Sequence, residues 1–315
     1  MRKEWIWIII LSLMMALLIP LTVVRWIDHQ GEVDPSDLKI RVLMPEGQVE
    51  TLSLEEYLVG VVAAEMPATF ELEALKAQAV AARTYAIKKM KNSQSVGQAY
   101  DVDTTVQTQA WISESQMRKK WGWGSYRKYH TKVKKAVQST KGLVMVFLGE
   151  YIDAYYHSSS GRKMTERSED VWSTARAYLK NVESGEEDPL RFVNQYKFSI
   201  EELYQKLGLT GMAQSFNSTD VQAISRTSAG RLKALRVLGR TYQASQLRTL
   251  LGLASTDIEW NISPQEIVFT TYGKGHGVGM SQYGANGLAQ NGRTYDQILT
   301  HFYAGISILS LKAGS

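Results

Sequence analysis

Residues 58–88 read LVGVVAAEMPATFELEALKAQAVAARTYAIK, and their pattern predicts two helices separated by a short break. The first apolar run ends at Glu65, and Pro67 disfavours helical geometry at the residue before it. After the break, apolar residues recur with the helical period over residues 71–90. A carboxylate therefore stands where one helix stops and the next has not begun.

The sequence allows two interpretations of Glu65. Ser53 and Glu56 form a capping-box pattern, which predicts the start of the helix that ends near Glu65. In one interpretation Glu65 is a solvated carboxylate in the last turn of that helix, the end that disfavours negative charge. In the other, its apolar neighbours raise the pKa of the carboxyl group, so that it acts as a general acid.

Two basic residues follow on the second predicted helix. Lys76 and Arg83 are seven residues apart, so they share one helix face within about 20°. This face is either a solvated basic stripe or a surface that contacts an anion or a sugar and is directed toward Glu65.

A glycine-rich stretch near the C-terminus is another candidate site. Residues 272–292 read YGKGHGVGMSQYGANGLAQNG, and this spacing fits neither a dinucleotide-binding motif nor a P-loop. No nucleophile elbow surrounds Ser281. The alternating glycines predict a backbone that approaches another segment closely. The stretch presents His276 and Gln282 as candidate substrate-binding residues.

The segment YHSSSG at residues 156–161 adds His157 and Ser158 to the candidate substrate-binding residues. A histidine at a strand end is more often a structural residue than a ligand. The chain has five histidines, no cysteine and no H-E-x-x-H pattern. We therefore predict no metal site and no cofactor.

The N-terminus predicts a membrane anchor. Two basic residues precede about twenty apolar residues, Trp5 to Val24, which are enough to cross a hydrocarbon layer of roughly 30 Å. A cleavable signal peptide is the alternative, although its apolar region is usually about 7–15 residues long. We predict an uncleaved anchor at 1–27, a polar linker at 28–37 and one folded domain at 38–312. The basic residues before the span favour an N-terminus inside and a domain outside the cell membrane.

Residues 116–141 carry many basic and aromatic side chains and no acidic one. Nucleic-acid-binding segments have such a composition. For a domain outside a membrane, an anionic wall polymer or a protein partner fits better, so we predict no nucleic-acid partner. A solvated helix face is the third interpretation.

The remaining pattern favours the α+β class. The chain has 315 residues, 44% of them hydrophobic, and a net charge of +5, which fits an ordinary globular domain. Helices and strands alternate irregularly and without a repeat, so we predict a mixed helix and hairpin domain with a substrate cleft. Beyond the two helices, the predicted elements are hairpins at 40–49, 143–157 and 221–239, a strand and short helix at 191–208, a strand at 267–271 and a helix at 295–303.

Three of these segments together resemble one family. They are EYLVGVVAAEMPATFELEALKAQAVAARTYA (56–86), YHSSSG (156–161) and GKGHGVGMSQYGANGLA (273–289). Each is similar to a motif of stage II sporulation protein D and the related amidase-enhancer proteins. The likeness extends over most of residues 38–310.

The resemblance implies a membrane-anchored peptidoglycan lytic transglycosylase that works during engulfment of the forespore. Such an enzyme cuts glycan strands between N-acetylmuramic acid and N-acetylglucosamine, leaves 1,6-anhydro ends, and prefers strands stripped of stem peptides. The implied partners are stage II sporulation proteins M and P. The implied location is the engulfing mother-cell membrane, with the domain facing the intermembrane space.

The resemblance also implies roles for residues. The family's catalytic glutamate falls on Glu65, and its important basic residues fall on Lys76 and Arg83, which either position Glu65 or contact sugar. Some clostridial relatives hold zinc with one His and two Cys, and His157 is the position nearest that motif. Because this chain has no cysteine, no metal is carried over.

Two rival functions fit the same residues. One is a non-catalytic glycan-binding activator of a cell-wall amidase. The other is a membrane-tethered scaffold that uses the basic segment.

Overall fold

The computed structural model describes residues 38–210, residue 215 and residues 217–311. The predicted anchor at 1–27 and linker at 28–37 lie outside the described residues. Within the described ranges, no helix combines the length and the apolar character that crossing a bilayer requires. The described residues thus cover nearly all of the predicted domain.

Helices and strands are mixed along the described chain, which confirms the α+β prediction. The helices are α1 (Leu54–Glu65), α2 (Leu72–Ser95), α3 (Glu114–Ser139), α4 (Ser168–Trp172), α5 (Ile200–Leu207), α6 (Ala244–Leu251), α7 (Gln282–Gln290) and α8 (Tyr295–Phe302). The first strands are β1 (Lys39–Leu43), β2 (Val49–Ser53), β3 (Val102–Asp103), β4 (Leu143–Phe147), β5 (Glu150–Tyr151), β6 (Tyr156–His157) and β7 (Val193–Ser199). The later strands are β8 (Val221–Arg226), β9 (Leu232–Val237), β10 (Arg240–Gln243), β11 (Asp257–Ile262), β12 (Glu266–Tyr272), β13 (Met280–Ser281) and β14 (Ser307–Ser310).

The break between α1 and α2 is where the sequence predicts it. The first helix ends at Glu65, and Met66 is extended with φ −112° and ψ 145°, as expected before a proline. The predicted capping box at the start of α1 is wrong, because Ser53 makes no side-chain cap hydrogen bond. Instead, the N–H of Leu54 donates to the Leu38 carbonyl at 2.8 Å, so the preceding hairpin satisfies one of the free donors.

Helix α3 holds most of the basic segment and is kinked. A capping box between Ser113 and Gln116 starts it, and Gly122 interrupts it with φ 68° and ψ 165°. This left-handed geometry favours glycine. The kink leaves the next residue, Trp123, 98% exposed.

The strands form small sheets with the orders β2-β1-β3, β14-β4-β5, β13-β6, β10-β9-β8 and β11-β12-β7. The predicted hairpins β1/β2 and β8/β9 are confirmed, as are strands β7 and β12 and helices α5 and α8. The predicted hairpin at 143–157 is corrected, since β5 ends at Tyr151. His157 lies in the separate strand β6, which pairs parallel with β13 inside the glycine-rich stretch.

Two hydrophobic cores lie in the described chain. The first packs α1, α2, α3 and α8 together, with Leu58, Val80 and Met145 among its fully buried side chains. The second packs α5 and α6 against β7 to β12. The buried side chain of Arg231 links the two regions, because its guanidinium donates to the Ser160 carbonyl at 2.8 Å and contacts Glu166 at 3.3 Å.

Candidate active site

Glu65 ends α1 and faces a cavity of about 450 Å³. The backbone N–H of Ala110 donates to its Oε1 at 3.0 Å, and Gln282 Nε2 donates to its Oε2 over a longer 3.5 Å. Gln282 also donates to Gln78 Oε1 in α2 at 3.4 Å. The segment before α3 and the first turn of α7 therefore hold the carboxylate from two sides.

Burial is the main influence on Glu65 and raises the pKa of its carboxyl group above the ordinary value. Hydrogen bonds from Ala110, Gln282 and Tyr156 and the charge of Lys120 oppose this rise. The carboxyl group consequently keeps its proton at a higher pH than a solvated glutamate does. This agrees with the general-acid interpretation of Glu65.

Two lysines of the basic segment 116–141 brace the break beside Glu65. Lys120 Nζ donates to two carbonyls in the last turn of α1, at 2.8 and 3.3 Å. Those carbonyls have no partner within the helix, so the lysine acts as a C-cap. Lys132 Nζ donates to two carbonyls at 69–70, just past the break. Both ammonium groups therefore have backbone partners, although Lys120 itself is exposed and Lys132 is half-buried.

Aromatic side chains form much of the cavity wall around Glu65. Tyr156 stands beside the carboxylate, and its hydroxyl accepts a hydrogen bond from Gln109 at 3.2 Å. At another part of the wall, Trp172 packs 4.7 Å from Tyr155 between ring centroids. We call this cavity the Glu65 cleft; its lining residues are Glu65, Tyr85, Val106, Gln107, Thr108, Ala154, Tyr155, Tyr156, His157, Trp172, Arg248, Gly275 and His276.

The glycine-rich stretch forms part of this wall because its backbone approaches β6 closely. A Cβ atom on Gly275 would lie 2.8 Å from the His157 Cβ atom, and one on Gly279 would lie 2.0 Å from the Tyr155 carbonyl oxygen. Side chains do not fit at either position. The predicted close approach is confirmed, and it brings His276 and His157 together with 5.8 Å between ring centroids.

Both histidines of the cleft are neutral at neutral pH. His157 is buried between the Ser160 hydroxyl, 2.8 Å from Nε2, and the Val278 carbonyl, 3.2 Å from Nδ1, and burial lowers its pKa well below the usual value. Burial lowers the pKa of His276 to about 4, helped by the charge of Arg248. Neither ring therefore supplies a cation to a ligand near pH 7.

The two predicted basic residues do not line the Glu65 cleft. Lys76 pairs with Glu73 at 2.6 Å on the same helix. Arg83 is fully buried and pairs with Glu55 through two hydrogen bonds of 2.8 and 2.6 Å. The solvated basic stripe is therefore wrong. The guanidinium of Arg83 has no exposed surface, so its burial favours the positioning role over direct sugar contact. Both roles stay predictions.

The structure thus brings Glu65, His157, His276 and Gln282 together and leaves Lys76 and Arg83 apart from them. Ser158 follows His157 and accepts a backbone hydrogen bond from Tyr283 at 3.0 Å, which ties β6 to α7. Its contact with substrate stays a prediction.

Sequence reasoning missed several parts of the cleft. Tyr156 is the first residue of the YHSSSG motif and could have been found there. Trp172 and Arg248 stand in segments without any motif, so no sequence signal marked them. The Ala110 donor belongs to the backbone and leaves no signature in the sequence at all.

No group of three or more histidine, aspartate, glutamate or cysteine side chains among the described residues is arranged to hold a metal ion. The absence of cysteine from the whole chain also removes the His and two Cys ligand set.

Comparisons with known proteins give consistent matches. The family model described as SpoIID, Stage II sporulation protein, matches residues 45–147. Stage II sporulation protein D of Bacillus subtilis (strain 168) is 40% identical over 272 residues, covering 84% of this chain and 77% of that protein. Stage II sporulation protein D of Bacillus amyloliquefaciens is 39% identical over 263 residues, covering 82% of this chain and 75% of that protein. The amidase enhancer of Bacillus subtilis (strain 168) is 29% identical over 305 residues, covering 80% of this chain but 40% of that protein.

Proposed function

The chain belongs to the SpoIID family of stage II sporulation proteins, and on this premise we propose that it is a lytic transglycosylase. Its substrate is the glycan strand of peptidoglycan. It cleaves the bond between N-acetylmuramic acid and N-acetylglucosamine and leaves a 1,6-anhydro muramic end. No water is consumed.

One observation carries this proposal. Among the described residues that line the Glu65 cleft, Glu65 alone has a carboxylate. Hydrolytic glycosidases ordinarily need two carboxyl groups, one as acid and one as base or nucleophile. A reaction in which one group serves first as acid and then as base matches the single carboxyl of this cleft.

The chemistry needs a protonated Glu65 at the start. The carboxyl proton moves to the glycosidic oxygen, the bond from the muramic C1 to that oxygen breaks, and N-acetylglucosamine leaves with a free hydroxyl. The muramic C6 oxygen then bonds to C1, and its proton returns to the Glu65 carboxylate. Atoms balance without water, and Glu65 is ready for another turnover.

The surroundings of Glu65 suit both halves of this cycle. Burial raises the pKa of Glu65 and keeps the proton available for the first step. The donors from Ala110 and Gln282 stabilise the carboxylate that exists between the steps. The neighbouring aromatic rings offer flat apolar surfaces against which a sugar ring can lie.

The family and the predicted anchor support a proposal for the cellular role. We propose that the protein acts in engulfment during endospore formation, on strands stripped of stem peptides, together with stage II sporulation proteins M and P. The predicted span at 5–24 attaches it to the engulfing mother-cell membrane, with the domain in the intermembrane space.

A second function has one supporting observation. The amidase enhancer relative has a name that describes an activator. In that case the chain would bind glycan and stimulate a partner amidase without cutting the strand itself.

The test is product analysis with the full-length chain, purified in a mild detergent and incubated with stripped glycan strands and no partner protein. Mass spectrometry should find 1,6-anhydro ends, which are lighter than hydrolysis products by one water. Glu65→Gln should bind the strands and lose at least the roughly 10²–10⁴-fold that general acid–base catalysis contributes. The matched control is Glu56→Gln, an exposed carboxylate on the same helix, which should cut like wild type.

Each alternative predicts a different result. Reducing ends instead of anhydro ends would mean hydrolysis and a second carboxyl group. Binding without any cleavage by wild type would favour the activator. Cleavage by Glu65→Gln at near wild-type rate would show that Glu65 is not the acid.

A further inference from the structure

The Glu65 cleft contains an arginine that pairs with no acidic residue among those described. Arg248 lies in α6, in the region of the second core, and lines the same cavity as Glu65. The one hydrogen bond that its side chain makes within the described chain runs from Nε to the Ala254 carbonyl at 3.3 Å. Burial lowers the pKa of the half-buried guanidinium, and no neighbouring carboxylate opposes that effect.

This isolation is unusual for the chain. The other arginines that are buried or half-buried in the described ranges each form an ion pair: Arg41 with Asp101, Arg83 with Glu55, Arg176 with Asp153 and Arg231 with Glu166. A guanidinium that loses water without gaining a carboxylate raises the free energy of the fold. An anionic ligand in the cleft would supply the missing partner.

The chemistry of the site selects a carboxylate. A guanidinium presents parallel N–H groups that match the two oxygens of a carboxylate, and such charge-assisted pairs are the strong ones. The nearest basic ring, His276, is neutral because burial and Arg248 lower its pKa to about 4. Arg248 therefore provides a single positive charge at its part of the cleft. The rings of His276 and Trp172 lie nearby, tilted at 56° to each other with 5.0 Å between their centroids.

We propose that Arg248 binds the lactyl carboxylate of a muramic acid residue from which the stem peptide has been removed. This inference rests on the proposed function, since it needs glycan in the cleft. In a peptide-bearing strand the same lactyl group is an amide, which is neutral and forms no ion pair. Arg248 is then left desolvated and unpaired, so the cleft discriminates against that strand. Specificity for stripped strands thus resides in one cation of the cleft wall.

The experiment measures discrimination between two strands that differ only at this group. One is the stripped glycan strand with free lactyl carboxylates, and the other is the same strand with those carboxylates converted to methylamides. The full-length wild type, Arg248→Gln and Arg248→Lys are compared by the ratio of kcat/KM for the two strands. The matched control is Arg236→Gln, an exposed arginine on β9 of the same region.

For wild type we expect a ratio of about 10 to 100 in favour of the free carboxylate, as one charge-assisted hydrogen-bonded pair provides. Arg248→Gln should bring the ratio close to one. Arg248→Lys should give an intermediate ratio, because it keeps the charge and loses the paired N–H geometry. Arg236→Gln should match wild type. A ratio for Arg248→Gln equal to that of wild type overturns the proposal.

Binding measurements separate this proposal from the proposed reaction. Dissociation constants for the two strands are measured with Glu65→Gln and with the Glu65→Gln, Arg248→Gln double variant, neither of which needs to cut. If wild type cuts no strand, the proposed reaction fails. The binding ratio still decides on Arg248: a preference for the carboxylate that the second substitution removes supports the site, and equal preference in both variants refutes it.

Discussion

Replacing Arg83 should destabilise the fold rather than remove a contact to substrate. Its side chain is 0% exposed, and that of its partner Glu55 is 13% exposed. Besides the two hydrogen bonds to Glu55, the guanidinium donates to the carbonyls of Val137 and Leu143 at 3.2 Å each. One side chain therefore joins α1, α2, the end of α3 and the start of β4.

The expected magnitude follows from this burial. Arg83→Ala leaves a nearly buried carboxylate without its partner, and breaking such a pair costs about 3–5 kcal/mol. With an m-value of about 2–3 kcal/mol per molar urea, the unfolding midpoint should fall by about 1–2.5 M. Lys88→Ala on the same helix is the control. Lys88 is 29% exposed and pairs with Asp153, which keeps Arg176 as a second partner. Removing the Lys88 side chain should therefore cost about 1 kcal/mol or less of folding free energy.

The assay is urea unfolding of the full-length variants in detergent, followed by far-ultraviolet circular dichroism. A double-mutant cycle with Glu55→Gln should give a coupling free energy of about 1–3 kcal/mol, as expected for groups in direct contact. Glycan cleavage is measured on the same samples. The reasoning is refuted if Arg83→Ala unfolds within about 0.5 kcal/mol of wild type, as an ordinary surface variant does, and yet loses cleavage. Arg83 would then act on substrate.

Three further predictions concern pH, metal and topology. Burial raises the pKa of Glu65 and the acid form starts the reaction, so kcat/KM should fall as pH rises through that pKa. Lys120→Met removes a positive charge that lowers the pKa of Glu65, and it should therefore move this fall to higher pH. The control Lys119→Met, at an exposed position, should leave the pH profile unchanged. A shift to lower pH in Lys120→Met would contradict the electrostatic role of Lys120. Activity should be unchanged in EDTA, and a loss that zinc restores would reveal a metal site. If residues 5–24 span the membrane with the N-terminus inside, external protease should digest the domain in intact protoplasts, whereas full protection would reverse the orientation.

The elements governed by local signals were predictable. The break between α1 and α2 depends on Pro67 and on the helical spacing of the apolar residues on either side of it. Both signals involve only residues close together in the sequence. The capping box at Ser53 is absent although its residue pattern is present, so the local pattern did not decide how this helix begins. The hairpin after β4 was predicted too long, because the pairing of β6 with β13 joins residues more than a hundred positions apart.

The candidate site divides in the same way. Glu65, His157, His276 and Gln282 were found because they occur in recognisable motifs. The role of Arg83 was not resolved by sequence, since a helical period says which face a residue occupies but not whether another helix covers it. Arg248 was missed because it stands out only through the lack of a carboxylate partner nearby in the folded protein. The sequence does not show which residues lie near it in the fold.

The donor at Ala110 has a consequence for how such proteins diverge. An N–H of the main chain is supplied by every amino acid except proline, so residue 110 can drift through nearly any side chain while Glu65 keeps its hydrogen bond. Gln282, in contrast, donates to Glu65 through its side chain, so most replacements of Gln282 remove that hydrogen bond. An alignment of relatives would then score position 282 as constrained and position 110 as free, although both hold the same carboxylate. Only an exchange to proline would expose the dependence.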